Sequence, residues 1–150
     1  MNTDEYLKLE NQLCFAIYAC SRELNRLYRP ILDRFGITYP QYLTLLVLWE
    51  HSRLTVKEIG ELLYLDSGTL TPMLKRMEAM ELIKRTRAAE DERKVWIELT
   101  EKANALREEA VCVPQMCFPH YGLTPEGYTE LLAQMQQILQ NLQKETRSIK

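Results

Sequence analysis

Cys14 is the side chain in this sequence whose neighbours are best suited to a reactive group. It lies one helical turn before Tyr18 in the apolar segment "NQLCFAIYACSREL", and Tyr28 follows on the same face of the helix, with Tyr39 just beyond it. Phenolic O–H groups donate hydrogen bonds to a thiolate and favour its charged, nucleophilic form. A free cysteine on a helix is also commonly an inert, small apolar residue, so both interpretations of Cys14 stay open at this point.

The spacing of these residues constrains any thiol site. Tyr28 follows Cys14 by 14 residues, which is about 21 Å along a helix. Tyr28 therefore cannot reach the Cys14 of its own chain. It can reach the Cys14 of a second copy whose first helix runs antiparallel alongside, so a tyrosine-lined thiol would be a feature of a dimer interface.

The composition limits the class of protein. The chain has 150 residues, of which 46% are hydrophobic, and can fold as one domain with a core. Its net charge of −2 gives no whole-chain basic signal for nucleic acid, so any such site must be a local patch. No stretch approaches ~18 continuous apolar residues, and the polar N-terminus "MNTDEYLKLE" is unlike a secretory signal. We therefore expect a cytoplasmic protein without a membrane segment.

The cysteines do not have the spacing of a metal site. They lie at positions 14, 20, 112 and 117 without a CxxC pair, and His51 and His120 are far apart in the sequence. We expect no metal and no cofactor. In the cytoplasm, thiols stay reduced unless they have a redox task.

Helical periodicity dominates, and the elements follow the order α-α-α-α-β-β-α-α. Apolar residues at positions 13, 17, 20, 24, 27 and 31 predict one long helix from Asp4 to Phe35, kinked near Pro30 and ended by Gly36. Pro40 begins a second helix, which is apolar almost all round and should be buried. The fold class is therefore mainly α with a small β-hairpin.

The middle of the chain has the pattern of a winged helix-turn-helix. Thr55 and Glu58 form a capping box at the start of a short helix. Asp66 or Ser67 caps the next helix, "GTLTPMLKRMEAMEL", in which Pro72 is tolerable only in the first turn. From residue 83 the apolar period changes to two, so "IKRTR" and "RKVWIEL" predict a β-hairpin around the charged turn "AAEDE".

The second helix and the hairpin, or wing, carry side chains suited to DNA, since such a helix enters the major groove beside its wing. Residues 73 to 97 include seven basic and five acidic side chains, a local balance of +2. Asp91 is placed to hold Arg93, which can enter a narrow minor groove. The candidate DNA-binding residues are Ser67, Thr69, Thr71, Pro72, Lys75 and Arg76 on the helix and Arg85, Arg87, Asp91, Arg93 and Lys94 in the hairpin. The alternative is a solvated amphipathic helix beside an ordinary hairpin.

The helices at the two chain ends have wide apolar faces. A helix capped by Thr100 ends near Pro114, and a last helix begins at "LTPEG". The first and last helices cannot be covered by the middle of the chain, which suggests a two-fold homodimer. We expect a single domain over residues 1–150, with a DNA-binding core at about 37–100 and dimerisation helices at about 4–35 and 101–147. The alternative is a monomeric helical bundle.

Four segments resemble the organic hydroperoxide resistance regulators, the OhrR-type branch of the MarR family. They are "LENQLCFAIYACSREL", "ITYPQYLTLLVLWEH", "LYLDSGTLTPMLKRME" and "RAAEDERKVWIELTE". The last two are typical of the wider family and the first two of its peroxide-sensing branch, and together the resemblance covers about residues 9–114. It aligns the family's recognition helix with Ser67–Arg76 and its wing arginine with Arg93.

The resemblance implies a homodimeric repressor that binds a pseudo-palindromic operator in double-stranded DNA. Such a repressor senses organic hydroperoxides through its N-terminal cysteine, here Cys14. The family's tyrosines, supplied partly by the other subunit, fall on Tyr28 and Tyr39, and Tyr18 matches a further nearby position. The family's usual target is the promoter of a thiol peroxidase gene.

The resemblance also implies what happens to the sulfenic acid that forms on the sensing cysteine. One-cysteine members cap the sulfenic acid with a small thiol, whereas two-cysteine members close an intersubunit disulfide to a cysteine in the C-terminal half. With Cys112 and Cys117 there, this chain resembles the second type, and Cys117 is slightly preferred. Cys20 is expected to pack in the apolar face of its helix.

Three other functions fit parts of the pattern. A regulator of the same fold that releases DNA on binding a small phenolic ligand would leave Cys14 idle. A thiol peroxidase would need turnover with a dithiol reductant, and one thiol without a recycling motif argues against an enzyme. A structural interaction module would use the terminal helices without sequence-specific DNA binding.

Overall fold

The computed structural model describes residues 3–148 and confirms the mainly α fold with a small β wing. The helices are α1 (Thr3–Tyr6), α2 (Leu13–Asp33), α3 (Tyr39–His51), α4 (Val56–Leu63), α5 (Ser67–Ala79), α6 (Glu101–Ala110), α7 (Cys112–Cys117) and α8 (Pro125–Ser148). Short 3-10 turns lie at Leu9–Asn11 and Phe118–Tyr121, and the strands are β1 (Arg53–Thr55), β2 (Ile83–Arg87) and β3 (Val95–Leu99). Residues up to Val113 form one compact unit, and those from Pro114 form a second.

The first helix does not begin at Asp4 and run on as predicted. The chain is extended at Lys8 and at Gln12, so α1 and α2 are separate helices. In this break the side-chain amide of Asn11 donates to the Glu5 carbonyl at 2.9 Å. The side-chain amide of Gln12 donates to the Lys8 carbonyl at 3.2 Å. The Glu5 and Lys8 carbonyls also accept from the backbone N–H groups of Lys8 and Asn11, so the side-chain amides add further hydrogen bonds to this break.

The later start changes the position of Cys14 within its helix. Because α2 begins at Leu13, Cys14 is its second residue. Backbone N–H groups in a first helical turn have no partner within the helix, and they favour negative charge nearby. At the other end, α2 stops at Asp33, and Gly36 follows with φ +66°, in agreement with its predicted role as a helix terminator.

α3 begins one residue earlier than predicted from Pro40. The Thr38 hydroxyl accepts from the Gln41 N–H at 3.4 Å, and the Gln41 side chain accepts from the Thr38 N–H at 2.9 Å. This is a capping box that precedes the proline. Burial of α3 is partial rather than all round, since Leu45 is fully buried but Leu46 is 41% exposed.

The two helices of the helix-turn-helix are capped by carboxylates. The predicted capping box of α4 is present: Glu58 Oε2 accepts from the Thr55 N–H at 2.7 Å, and the Thr55 hydroxyl accepts from the Glu58 N–H at 3.2 Å. Of the two candidates for α5, Asp66 is the cap and accepts from the Thr69 N–H at 2.9 Å. Both carboxylates lie where the helix dipole favours negative charge.

Gly60 makes a close approach possible between α4 and the turn that follows it. It is buried, and its carbonyl accepts from the Leu65 N–H at 2.9 Å. A Cβ atom at Gly60 would lie 2.6 Å from the Leu65 carbonyl oxygen and 3.2 Å from Leu70 Cδ1. Tyr64 completes the turn at φ 58°, a left-handed conformation that is uncommon for a residue of this type.

Two prolines lie within helices in positions that differ from the prediction. Pro72 is the sixth residue of α5 rather than part of its first turn, and it cannot donate to the carbonyl four residues earlier. The helix capped by Thr100 stops at Ala110. Pro114 is then the third residue of α7, in a first turn where a missing N–H removes no helical hydrogen bond.

The wing is a three-stranded sheet rather than a hairpin alone. β3 lies between β1 and β2 and is antiparallel to both. The sequence pattern does not predict β1, which is only three residues long. Ile97 in the middle of β3 is fully buried, so the alternation of strand side chains places Trp96 and Glu98 on the opposite face of the sheet.

Acid should weaken the start of α4, because its cap depends on a charged carboxylate. Hydrogen bonds from the Thr55 N–H and hydroxyl hold the pKa of Glu58 below its usual 4.5. A carboxyl group whose pKa is lowered by folding adds stability above its unfolded pKa, and that stability is lost as the pH falls through the folded pKa. Between pH 7 and pH 3, Glu58→Gln should therefore lose less free energy of unfolding than the wild type. The difference should be about 0.5 kcal/mol, because the carboxylate is exposed and water screens its charge.

Urea unfolding followed by circular dichroism at the two pH values measures this difference. Glu61→Gln is the matched control, since Glu61 is also an exposed acid on α4, and it should keep the wild-type dependence on pH. The same loss of stability in Glu58→Gln and in the wild type would contradict the role of the charged cap.

Candidate functional site

The starts of α4 and α5 and the tip of the wing line one cleft of about 660 Å³. Its lining residues are Thr55, Val56, Lys57, Glu58, Glu61, Ser67, Thr71, Asp91, Arg93, Lys94 and Val95. Five predicted DNA-binding residues therefore meet here although they come from two separate parts of the chain: Ser67, Thr71, Asp91, Arg93 and Lys94. Lys57 is a further basic side chain in the cleft that was not in the predicted set.

The remaining predicted residues lie outside the lining of the cleft. Exposed positions on α5 and at the end of β2 are occupied by Thr69, Pro72, Lys75, Arg76 and Arg87. The opposite face of α5 is buried and consists of Leu70, Met73, Leu74 and Met77. The core therefore holds α5 by its apolar face and leaves its basic and hydroxyl face available to a ligand.

Asp91 fixes the turn of the wing. Its Oδ1 accepts from the Arg93 N–H at 3.0 Å and lies 3.5 Å from Arg93 Nε, which is the contact expected from the sequence. The Asp91 carbonyl also accepts from the Lys94 N–H at 2.9 Å. The Arg93 side chain is 94% exposed, so its backbone is held while its guanidinium is able to reach into a groove.

Arg85 anchors the wing to α5. Its Nε donates to Glu78 Oε2 at 2.8 Å, and its N–H donates to Glu78 Oε1 at 3.4 Å. The hydrogen bond from the Arg85 side chain holds the pKa of Glu78 below its usual 4.5. The charge of this predicted DNA-binding residue is thus already engaged within the chain.

Cys14 is exposed in the single chain. Its neighbours Phe15 and Tyr18 are 42% and 59% exposed, and the Arg22 guanidinium lies 5.6 Å from the centre of the Tyr18 ring. Cys20, which was expected to pack in an apolar face, is also exposed. Neither thiol of α2 is therefore a buried packing residue within one chain.

The other two thiols lie in α7 and differ in burial. Cys112 is half-buried and Cys117 is fully buried. Just after Cys117, the ring of Phe118 contacts that of Tyr128 edge-on at 5.3 Å. Cys112 is thus the more accessible of the two, and Cys117 needs a local rearrangement before it can meet another thiol.

Tyr28, Tyr39 and Tyr42 form an aromatic cluster between α2 and α3. The ring centres of Tyr28 and Tyr39 are 4.9 Å apart, and that of Tyr42 lies 6.3 and 6.4 Å from them. Tyr42 is outside the predicted set, although its spacing of three residues from Tyr39 places both on one side of α3. Cys14 lies 14 residues before Tyr28 on the same helix, so the structure brings the tyrosines to each other and not to Cys14 of their own chain.

Apolar side chains are exposed along both long terminal helices. On α2 they include Leu13, Phe15, Tyr18 and Leu24, and on α8 they include Leu131, Leu132, Leu139 and Leu142. Several large apolar side chains exposed on one helix are typical of an interface with another protein. Each of these helices therefore offers a surface for association.

Within residues 3–148, no group of three His, Cys, Asp or Glu side chains is arranged to hold a metal ion. No helix in that part of the chain is both long enough and apolar enough to cross a membrane.

Comparison with known proteins gives consistent matches. A family model described as transcriptional regulator SarA/Rot matches residues 26–110. The organic hydroperoxide resistance transcriptional regulator of Bacillus subtilis (strain 168) is 63% identical over 113 residues, which cover 75% of this chain and 77% of that protein. Reduced AbfR bound to DNA is 39% identical with a TM-score of 0.78, covering 93% of this chain and 97% of that chain. Disulfide-formed AbfR is 39% identical with a TM-score of 0.63, and the match covers 91% of this chain and 96% of that chain. AbfR comes from Staphylococcus epidermidis.

Proposed function

Because the chain belongs to the SarA/Rot-type transcriptional regulators and to the organic hydroperoxide resistance regulators, we propose that it is a DNA-binding repressor that senses organic hydroperoxides through Cys14. Oxidation of this thiol releases the operator and derepresses a gene for peroxide detoxification. The observation that carries the proposal is the exposed Cys14 in the first turn of α2, 14 residues from a tyrosine cluster that a second copy can bring to it.

The repressor acts as a homodimer in the cytoplasm. The exposed apolar faces of α2 and α8 support an interface built from residues of about 4–35 and 101–147. Two-fold symmetry then places two copies of α5 about 34 Å apart, so that they read the half-sites of a pseudo-palindromic operator. The DNA-binding core of about 37–100 supplies the cleft between α4, α5 and the wing, and AbfR, of similar fold, binds DNA.

The sensing step is a nucleophilic attack. The Cys14 thiolate attacks the terminal oxygen of the hydroperoxide, so that an S–O bond forms as the O–O bond breaks. The products are a sulfenic acid on Cys14 and, after protonation, an alcohol. The Tyr28 and Tyr39 hydroxyls of the second copy, with Tyr18 nearby, would donate hydrogen bonds to the attacking sulfur.

A disulfide completes the response. The thiol of Cys117, or of Cys112, in the second copy condenses with the sulfenic acid, forming an S–S bond and releasing water. AbfR is known in a disulfide form, which supports this step. Because Cys117 is buried, α7 has to open before that cysteine reacts, and the opening alters the spacing of the two DNA-binding cores.

This chemistry makes the protein a sensor and not an enzyme. Each Cys14 reacts once and needs an external reductant before it can react again. The relatives found are transcriptional regulators, which supports the same conclusion.

The wild-type protein should bind its operator tightly when reduced and weakly after oxidation. An operator is first selected from random DNA with reduced protein, and affinity is then measured at one stated salt concentration, because phosphate contacts make affinity fall steeply with ionic strength. We expect a Kd of about 10⁻⁸ M or tighter for the reduced dimer. Cumene hydroperoxide should weaken operator affinity by at least about 100-fold, or ~2.7 kcal/mol. Dithiothreitol should then restore the affinity of the reduced protein.

Two outcomes would reject the proposal. Equal affinity before and after oxidation would remove the sensing function, and release by a small phenol without any effect of peroxide would favour a ligand-controlled regulator. A nonreducing gel of oxidised Cys112→Ser and Cys117→Ser proteins identifies the second thiol, since only loss of the correct cysteine removes the crosslinked dimer.

A further inference from the structure

Two cationic side chains lie over the Trp96 ring on the outer face of the wing sheet. The Arg53 Cζ atom is 4.4 Å from the centre of the indole ring, and the Lys94 Nζ atom is 4.6 Å from it. Both distances are within the range of about 6 Å in which a cation is attracted to an aromatic face. The ring therefore attracts two cations, and the three side chains form a cation–aromatic stack.

The stack follows from the register of the sheet. Trp96 pairs with Thr55 of β1, so Arg53 lies two residues along the same strand and on the same face. Lys94 precedes Trp96 by two residues and also faces outwards. Ile97, the neighbour of Trp96, is fully buried on the core side. Trp96 thus faces outwards, and its contacts with Arg53 and Lys94 lie on that outer face of the sheet.

Lys94 is the member of this stack that also lines the cleft. The acid that interacts with it, Glu58, already accepts two hydrogen bonds from Thr55, at 2.7 and 2.8 Å. Arg53, by contrast, is additionally paired with Glu98 at 3.5 Å. Lys94 therefore supplies positive charge at the cleft, and Arg53 is held near the ring by its pairing with Glu98.

A lysine side chain loses much conformational freedom when it is fixed at an interface. If the indole ring already fixes the Lys94 ammonium in the free protein, the side chain loses less conformational freedom when DNA binds. We propose that Trp96 is a positioning residue for DNA binding, whose ring holds the Lys94 ammonium at the mouth of the cleft for a backbone phosphate of the duplex. The inference rests on the proposed DNA-binding function and adds to it a residue outside the cleft lining.

The test is a double-mutant cycle on operator affinity. Trp96→Leu should weaken binding by about 10-fold, and Trp96→Phe should weaken it less, because its ring still attracts a cation. Lys94→Ala should also weaken binding and lower the salt dependence by about 0.9 in log–log slope, as expected for one lost phosphate contact. If Trp96 acts through Lys94, the double variant Trp96→Leu/Lys94→Ala should be no weaker than the weaker single variant.

Trp49→Phe is the control, since Trp49 is the other tryptophan and its indole N–H donates to the Ala103 carbonyl of α6 at 3.1 Å. It should leave operator affinity unchanged even where it lowers stability. Wild-type protein that does not bind an operator would reject the proposed function itself. Binding by the wild type together with unchanged affinity in Trp96→Leu, or additive losses in the double variant, would overturn the inference alone. If Trp96→Leu does not fold, Trp96→Phe takes its place in the cycle. Lys94→Ala should then reduce operator affinity less in the Trp96→Phe background than in the wild type. An equal reduction in the two backgrounds would overturn the inference.

Discussion

The Cys14→Ser variant should bind the operator within about 3-fold of wild-type affinity and remain bound after treatment with cumene hydroperoxide. Cys14 is exposed in the single chain, so the substitution leaves no cavity within it, and a hydroxyl keeps the capacity to hydrogen-bond with tyrosines. A serine hydroxyl is not ionised at neutral pH and has no path to a sulfenic acid. The variant should therefore lose the whole oxidative decrease of at least about 100-fold, or ~2.7 kcal/mol of binding free energy. Fluorescence anisotropy with labelled operator measures both states.

Cys20→Ser is the matched control for this experiment. Cys20 lies six residues after Cys14 on α2 and is also exposed, so general effects of removing a thiol from this helix appear in both variants. Cys20→Ser should release DNA on oxidation as the wild type does. Normal release by Cys14→Ser would refute the sensing role of Cys14, and a failure of Cys20→Ser to respond would move that role to Cys20.

Gly60→Ala should destabilise the helix-turn-helix by about 2 kcal/mol, the usual cost of forcing extra atoms into a packed site. An added Cβ would meet the Leu65 carbonyl oxygen at 2.6 Å, and this atom belongs to the backbone of the turn and cannot rotate away. The turn must shift, and α5 shifts with it. We therefore also expect the operator affinity of the folded variant to fall at least about 10-fold, since a displaced recognition helix loses its base contacts.

Gly68→Ala separates this steric effect from helix propensity, because alanine stabilises helices by about 1 kcal/mol relative to glycine. The added Cβ would meet only the end of the Asp66 side chain, at 3.0 Å. The free energy of unfolding of Gly68→Ala in urea should equal that of the wild type or exceed it by up to about 1 kcal/mol. If Gly60→Ala were as stable as Gly68→Ala, the close approach of the turn to Gly60 would not restrict this position.

Much of the fold was predictable because its signals are local. The hydroxyl and carboxylate of Thr55 and Glu58 stand at the spacing of a capping box. The alternation around Ile97 predicted the hairpin. The break before α2 was not predictable in this way, since it depends on amide side chains that turn back to carbonyls, and these have no periodic pattern. β1 was missed because its three residues gain their strand conformation from pairing with β3.

For the candidate site too, local features were predictable from the sequence and contacts between distant segments were not. The spacing of residues on one helix predicted that Cys14 and Tyr28 cannot meet within a chain, and the role of Cys14 remains a prediction. Contacts between distant segments were beyond the sequence pattern. Arg85 could be recognised as basic, but its engagement by Glu78 depends on how β2 packs on α5. The contact of Arg53 with the Trp96 ring likewise depends on the pairing of β1 with β3.

The uncovered apolar side chains of α2 and α8 have a consequence for the amount of protein a cell must keep. If these side chains are buried only in the paired state, mass action ties the folding of each subunit to its abundance, and dilution lowers the melting temperature. A cell with few copies would then hold a larger share of unpaired, protease-sensitive chains. The copy number needed to keep the target gene silent would be set by this association as well as by the affinity for DNA.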